Sequence, residues 1–231
     1  MTARRDGAGQ RTGTRILDAA LELFNRDGAG RVTTNHIAAH LGISPGNLYY
    51  WYPDKRAIVR ALWARHVAQH AAVWDVADLP TPDEMLRRLA ATGDLQRAHL
   101  VLSRDLLALA HEDPELRRAV ADERARRLAL LGALARTWRA DGLLRPVDDE
   151  RLDALVEAVL LVTETWVPVT LGAAASDGAE GVPASADQAH GERLLRAVLE
   201  PYLEPAPAAP SPAAPPSGRS PSSASPAHTG P

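Results

Sequence analysis

The chain has 231 residues, 45% of them hydrophobic, enough for one substantial core or two, and a formal net charge of −3. It contains no cysteine, which excludes disulfides, thiolate metal centres and cysteine nucleophiles. Charge is unevenly divided: residues 1–56 carry eight Lys/Arg against five Asp/Glu, a net +3, so the remainder carries −6 and polyanion contact is expected at one end only.

The opening Met-Thr-Ala-Arg-Arg has no apolar signal core behind it, so a soluble cytoplasmic protein is expected. Residues 1–13 read as a flexible basic arm. Its arginines, with Arg15 just beyond, either order on phosphates or stay solvated. Ile16, Ala20, Leu23 and Phe24 recur at helical spacing from Thr14 to Asp27, and Gly28 ends that helix. Thr33 or Thr34 caps a second helix, to about Leu41, which turns its Ile37, Ala38 and Leu41 inward. Gly42 permits a tight turn, Ser44 caps a third helix and Pro45 suits its first position; that helix ends near Trp51.

Pro53-Asp54 opens a fourth helix reaching about Ala77, with a stripe of Val59, Trp63, Val67, His70 and Trp74 that Pro80 and Pro82 close. A short helix over Met85–Leu89 is followed by loosening at Thr92-Gly93-Asp94 and a further helix from Leu95 to His111. Asp113-Pro114 starts an amphipathic helix that persists to Gly142, and Asp148–Leu171 forms another, kinked near Pro168. Leu152–Leu171 is interrupted by Glu157, Glu164 and Pro168, so no membrane span is expected. Residues 172–186 read as a mobile loop, and helicity returns from Asp187 to Leu203. From residue 205 onward nine of 27 residues are proline among Ala and Ser, a composition that cannot bury enough to order itself. No strand pattern occurs, so the fold class is all-α.

Two short helices joined by a Gly turn suit a helix-turn-helix, in which the second helix places its N-terminal residues in the DNA major groove. Ser44 and the amides near it can bond a phosphate, Gly46 allows close backbone approach, and Asn47 offers a donor and acceptor to a base edge. Leu48 points back onto Ile37 and Leu41, Tyr49 and Tyr50 divide packing and phosphate contact between them, and Lys55 and Thr34 are phosphate clamps.

Residues 14–60 resemble the N-terminal domain of the TetR family of bacterial transcriptional regulators. The resemblance lies in Ala19-Ala20…Leu23-Phe24, Thr33-Thr34, Ile37-Ala38, Leu41-Gly42-Ile43-Ser44, Gly46-Asn47-Leu48-Tyr49-Tyr50 and Lys55. It implies a helix-turn-helix DNA-binding domain over 14–56 and a helical ligand-binding and dimerisation domain over 57–204. It also implies DNA contacts from Thr34, Ser44, Gly46, Asn47, Tyr49, Tyr50 and Lys55, to which Pro45 and Trp51 are added by position. Where the family has His-Phe after the paired tyrosines this chain has Trp51-Tyr52; Tyr52 keeps a packing ring, while the Trp51 indole donates one hydrogen bond without charge.

A homodimer on an inverted-repeat operator is implied, paired through helices near 148–171 and 187–203. A small apolar or amphipathic effector releases a repressor in this reading. Its candidate contacts are Trp63, His70, Trp74, His99, Arg104, Trp138, Thr163 and Trp166. His66 and His70, like His36 and His40, have i, i+4 spacing but no third ligand nearby, so no metal and no cofactor are expected. The alternative is an effector-independent nucleoid protein on the same fold; no phosphate loop or catalytic constellation supports an enzyme.

Overall fold

A computed structural model describes residues 3–73, 79–176 and 184–204. Trp74, residues 177–183 of the expected loop and the 205–231 tail lie outside the described residues. Helices α1 (Ala3–Asp27), α2 (Thr34–Leu41) and α3 (Pro45–Trp51) form the head. The body comprises α4 (Lys55–Val73), α5 (Pro82–Ala98), α6 (Leu100–Arg104), α7 (Leu106–Glu112), α8 (Pro114–Ala140), α9 (Asp149–Ser176) and α10 (Ala184–Leu199). A 3-10 turn follows at Glu200–Tyr202, and an isolated antiparallel bridge joins Leu144 to Leu203. No β-strand forms among the described residues, and the all-α expectation holds.

Several boundaries differ from the sequence reading. The first helix begins at Ala3 rather than Thr14, so most of the expected flexible arm is helical. Extending an existing helix adds a hydrogen bond per residue, which here outweighs glycines costing about 1 kcal/mol each. The expected break at Thr92-Gly93-Asp94 does not occur, because α5 runs unbroken through it. A Cβ on Gly93 would collide with the Trp166 ring, and one on Gly191 would lie 2.7 Å from the same ring. These glycines let α5 and α10 close on an indole, and neither ends a helix. The expected helix from 95 to 111 is divided at His99, whose backbone leaves α-helical geometry, and again at Asp105. Helix α9 continues past Leu171 to Ser176, and α10 starts at Ala184, so the connection is shorter than expected.

Two apolar clusters result. The first unites the head with the near end of the body: Phe24, Ile37 and Leu48 pack with Leu62, Val101 and Leu116. The second lies deeper in the body, around Leu86, Leu89, Trp138, Leu152, Val159 and Leu195. Each buried Leu or Ile contributes about 2 kcal/mol through removal from water. Helix α9 is apolar enough to pass as a membrane span over Asp149–Leu171 (mean hydropathy 1.6), yet here it packs against α5, α8 and α10. Leu161 and Val169, eight residues apart on α9, remain 46% and 67% exposed.

Candidate functional site

The head is built to hold α3 rigidly and leave its outer side bare. Thr33 caps α2 reciprocally: its hydroxyl accepts from the His36 amide, and its own amide donates to His36 Nδ1, both at 3.3 Å. Gly42 then adopts φ 66°, left-handed backbone that a side chain would strain, while the Ile43 amide closes on Ala38 O at 3.0 Å. Ser44 accepts from the Asn47 amide at 3.2 Å, and Pro45 begins α3 with its fixed φ. Leu48 is fully buried in the head cluster and pins α3 to α2. With that residue inward, Pro45, Gly46 and Asn47 are exposed, as are Tyr49 (45%) and Tyr50 (80%).

Five of the residues expected to contact DNA have partners within the protein. Thr34 Oγ1 and the Tyr49 hydroxyl are 3.0 Å apart, joining the first turn of α2 to the side of α3. Trp51 is half-buried with its ring over Gly13 of α1, and it meets Tyr50 edge-on at 5.2 Å. Lys55 is not free in solvent: its ammonium donates to Ala29 O at 2.8 Å, fastening the loop after α1. Tyr52 reaches the same helix as Trp51, with its hydroxyl 3.5 Å from Gly13 O.

In the body, buried polar side chains collect between the two apolar clusters. Helix α5 shows how: Met85 and Leu89 face the deeper cluster, and one face continues through Thr92, Gln96 and His99 before α6 returns to apolar Val101 and Leu102. Helix α4 adds His66 and His70, α8 adds Glu123 and α9 adds Thr163, all buried. His66 stacks on Trp63 at 5.6 Å, meets His99 edge-on at 5.1 Å and lies 6.3 Å from His70. Gln96 Nε2 donates to Thr163 O at 2.5 Å, linking α5 to α9.

The charged groups of this layer pair with one another. Glu123 accepts from Arg126 Nε at 2.8 Å and Arg127 Nε at 2.7 Å, and Arg124 donates to Glu164 at 2.5 Å. Burial pushes the Glu164 carboxyl up, against the pull of Arg124 and Arg127. Burial, reinforced by the neighbouring His99 and Arg127, pushes His66 down to about 3, and burial with Arg127 takes His70 to about 4. Both rings are therefore neutral near pH 7. A cavity of about 20 Å³, room for about one water, is lined by His70, Leu89, Leu131, Leu160, Thr163 and Arg127.

Of the expected effector contacts, Trp63, His70, His99 and Thr163 come together in this layer. Trp166 is buried beside it, between Gly93 and Gly191. Trp138 belongs elsewhere, in the deeper cluster, where its indole donates to Pro80 O at 2.9 Å. Arg104 is also displaced: it pairs with Asp105 and donates to Phe24 O at 3.3 Å, at the joint between head and body. The sequence reading missed Gln96, Glu123 and Arg127. Gln96 was detectable, since 85, 89, 92, 96 and 99 keep one helical register once α5 is continuous.

The joint itself was also missed. Asn25, near the end of α1, donates to Ala98 O at 2.8 Å and accepts from the Val101 amide at 2.9 Å. Its amide thus grips the chain on both sides of His99. Asp105 accepts from the Ala29 amide at 3.2 Å, and Arg65 of α4 pairs with Asp18 of α1 at 2.6 Å.

Among the described residues no group of three or more His, Asp or Glu is arranged to hold a metal ion. Comparison with known proteins gives a consistent picture. Residues 16–62 match the profile of the bacterial regulatory proteins of the tetR family, and residues 65–210 match a bacterial transcriptional repressor profile. The class D tetracycline repressor protein of Escherichia coli is 42% identical over 55 residues, covering 24% of this chain. The match spans 25% of that repressor's length. The transcriptional regulator RutR of Escherichia coli K12 is 28% identical over 171 residues, covering 68% of this chain and 76% of RutR. A TetR-family transcriptional regulator from Marinobacter aquaeolei VT8 superposes with TM-score 0.72 at 28% identity, covering 84% of this chain and 92% of its own.

Proposed function

We propose, since the chain belongs to the TetR family of bacterial transcriptional regulators, that it is a repressor released from an inverted-repeat operator by a small-molecule effector. The observation that carries this reading is the bare outer side of α3. Two large tyrosines, Asn47 and Gly46 face solvent on a helix anchored by a fully buried Leu48. Such exposure of aromatic surface serves a partner better than a free chain.

In this reading Asn47 reads a base edge, Ser44, Pro45 and Gly46 admit the phosphate backbone, and Tyr49, held by Thr34, donates with Tyr50 to phosphates. Trp51 braces Tyr50 against α1, and Lys55 uses donors not spent on Ala29 O. The exposed Leu161 and Val169 of α9, with Leu194 of α10 (37% exposed), form the apolar face on which a second copy seats. Effector in the polar layer displaces the chain around His99, and Asn25 passes that shift to α1 and the reading head. A coupling of a few kcal/mol suffices for release. Asn47→Ala should lower affinity for the selected operator by about 1–3 kcal/mol with an unchanged melting temperature. Unchanged affinity and selectivity would remove α3 as the reading helix.

A second reading, an effector-independent DNA-binding structural protein, is favoured by the nearly solid core, whose cavity at the polar layer is only about 20 Å³. It requires many genomic sites without a shared motif.

A further inference from the structure

Three side chains in the polar layer are more than nine-tenths buried yet keep an atom without a hydrogen-bond partner: Gln96 through Oε1, His99 through Nε2 and His66 through Nδ1. Two of these have a defined character. His99 Nδ1 lies 3.2 Å from Leu95 O, a carbonyl that only accepts, so Nδ1 carries the proton and Nε2 is left as an acceptor. Gln96 donates its amide to Thr163 O, which leaves its carbonyl oxygen as an acceptor. Gln96 lies in the last turn of α5 and His99 at its C-cap, three residues on. Burying an acceptor unpaired costs about 1–3 kcal/mol, so two within one helical turn mark a place kept polar for a reason other than packing.

The surroundings restrict what satisfies them. Three arginines are matched by three carboxylates, with Arg126 and Arg127 on Glu123 and Arg124 shared between Glu164 and Glu157 at the rim. A charged ligand would enter with no free counterion, at the full cost of burying an unpaired charge. Arg127, on the cavity wall, keeps Nη2 buried without a partner, a donor that an oxygen can accept from. The cavity wall is otherwise aliphatic, with Leu89, Leu131 and Leu160, and the stacked rings of Trp63 and His66, at an interplanar angle of 28°, belong to the same buried layer.

We propose that the effector is an uncharged molecule with a flat apolar or aromatic body and a hydroxyl that donates to Gln96 Oε1, beside His99 Nε2. The hydroxyl oxygen also offers Arg127 an acceptor, so one functional group answers donors and acceptors together. This inference rests on the ligand-responsive reading above. The layer lies where the two apolar clusters meet, so a ring inserted there parts them and moves the segment that Asn25 grips.

The test uses the full chain and four probes sharing one ring system: naphthol, methoxynaphthalene, naphthoate and naphthylmethylammonium. Binding is measured by calorimetry, and operator release by fluorescence anisotropy. Naphthol should bind at least about tenfold more tightly than its methyl ether, with both charged probes weaker still. In Gln96→Met the preference for naphthol over the ether should fall to within about threefold, a readout that loss of packing alone does not move. Equal binding of the ether, tighter binding of a charged probe, or binding of none overturns the assignment. Naphthol binding without operator release leaves the seat standing and refutes the ligand-responsive reading. Operator release driven by naphthoate leaves that reading standing and refutes the effector class. The wild-type comparison decides by itself if Gln96→Met fails to fold.

Discussion

Mild acid should weaken this fold before its carboxylates titrate, and the polar layer sets the amount. His66 is held down at about 3 and His70 at about 4, chiefly by burial, against 6.5 in an open chain. The charges facing them come from α4, from His99 between α5 and α6, and from α8: His66 feels His99, Arg127 and His70, His70 feels Arg127 and Arg126, and both rings feel Glu123, which opposes the shift. As pH falls through 6.5 the unfolded chain takes up a proton on each ring and the folded chain does not. Stability is therefore intact above that value and lost progressively toward about 4 and about 3. Between about pH 7.5 and about pH 5.5 each ring contributes a loss of about 1.4 kcal/mol, or about 3 kcal/mol for the pair. Urea unfolding followed by tryptophan fluorescence, at one fixed protein concentration because the proposed dimerisation would couple to folding, measures this directly. The double variant His66→Phe with His70→Leu should lose most of the pH dependence. A flat profile in the wild type, or an undiminished slope in the double variant, would refute the assignment of two buried neutral histidines.

Other consequences concern packing and the joint. Gly93→Ala drives a methyl into the Trp166 ring and should cost about 1–3 kcal/mol, seen as a lowered melting temperature; an unchanged value would mean α5 and α9 have room to separate. Asn25→Ala removes both hydrogen bonds that grip the chain around His99 and should cost about 1–3 kcal/mol in urea unfolding, while faster amide exchange should appear around residues 98–105. If exchange there is unaltered, Asn25 does not hold the joint. Lys55→Met separates two roles: loss of the Ala29 bond lowers stability by about 1–2 kcal/mol, and loss of a phosphate contact reduces the salt dependence of operator binding by about one counterion. A stability loss with an unaltered salt slope would leave Lys55 a purely structural clasp.

The head was legible because its determinants are local. Thr33, Gly42, Ser44 and Pro45 each act within four residues of themselves, so the turn and both helix starts follow from short-range rules. The body was less so, since its polar residues acquire meaning from partners far along the chain. Gly93 reads as a weak point in a helix until Trp166, 73 residues later, is found against it. Gln96 looks like an ordinary surface residue until Thr163 accepts from it, and Arg104 looks like a ligand contact until Phe24 O and Asp105 claim it. Lys55 shows the same limit inside the head, as its carbonyl partner at Ala29 has no sequence signature. The long N-terminal extension of α1 was missed because its glycines argue for coil when summed by propensity alone.

If α3 reads sequence on behalf of a dimer, as proposed, selection of bound fragments from a random or genomic DNA pool by the full chain at physiological salt will reveal it in the recovered sequences. Enrichment of one inverted repeat, its half-sites about one helical turn apart or a multiple of that, is the expected result. Recovery of DNA with no shared motif from a folded dimer would contradict sequence-specific regulation and support the architectural role instead.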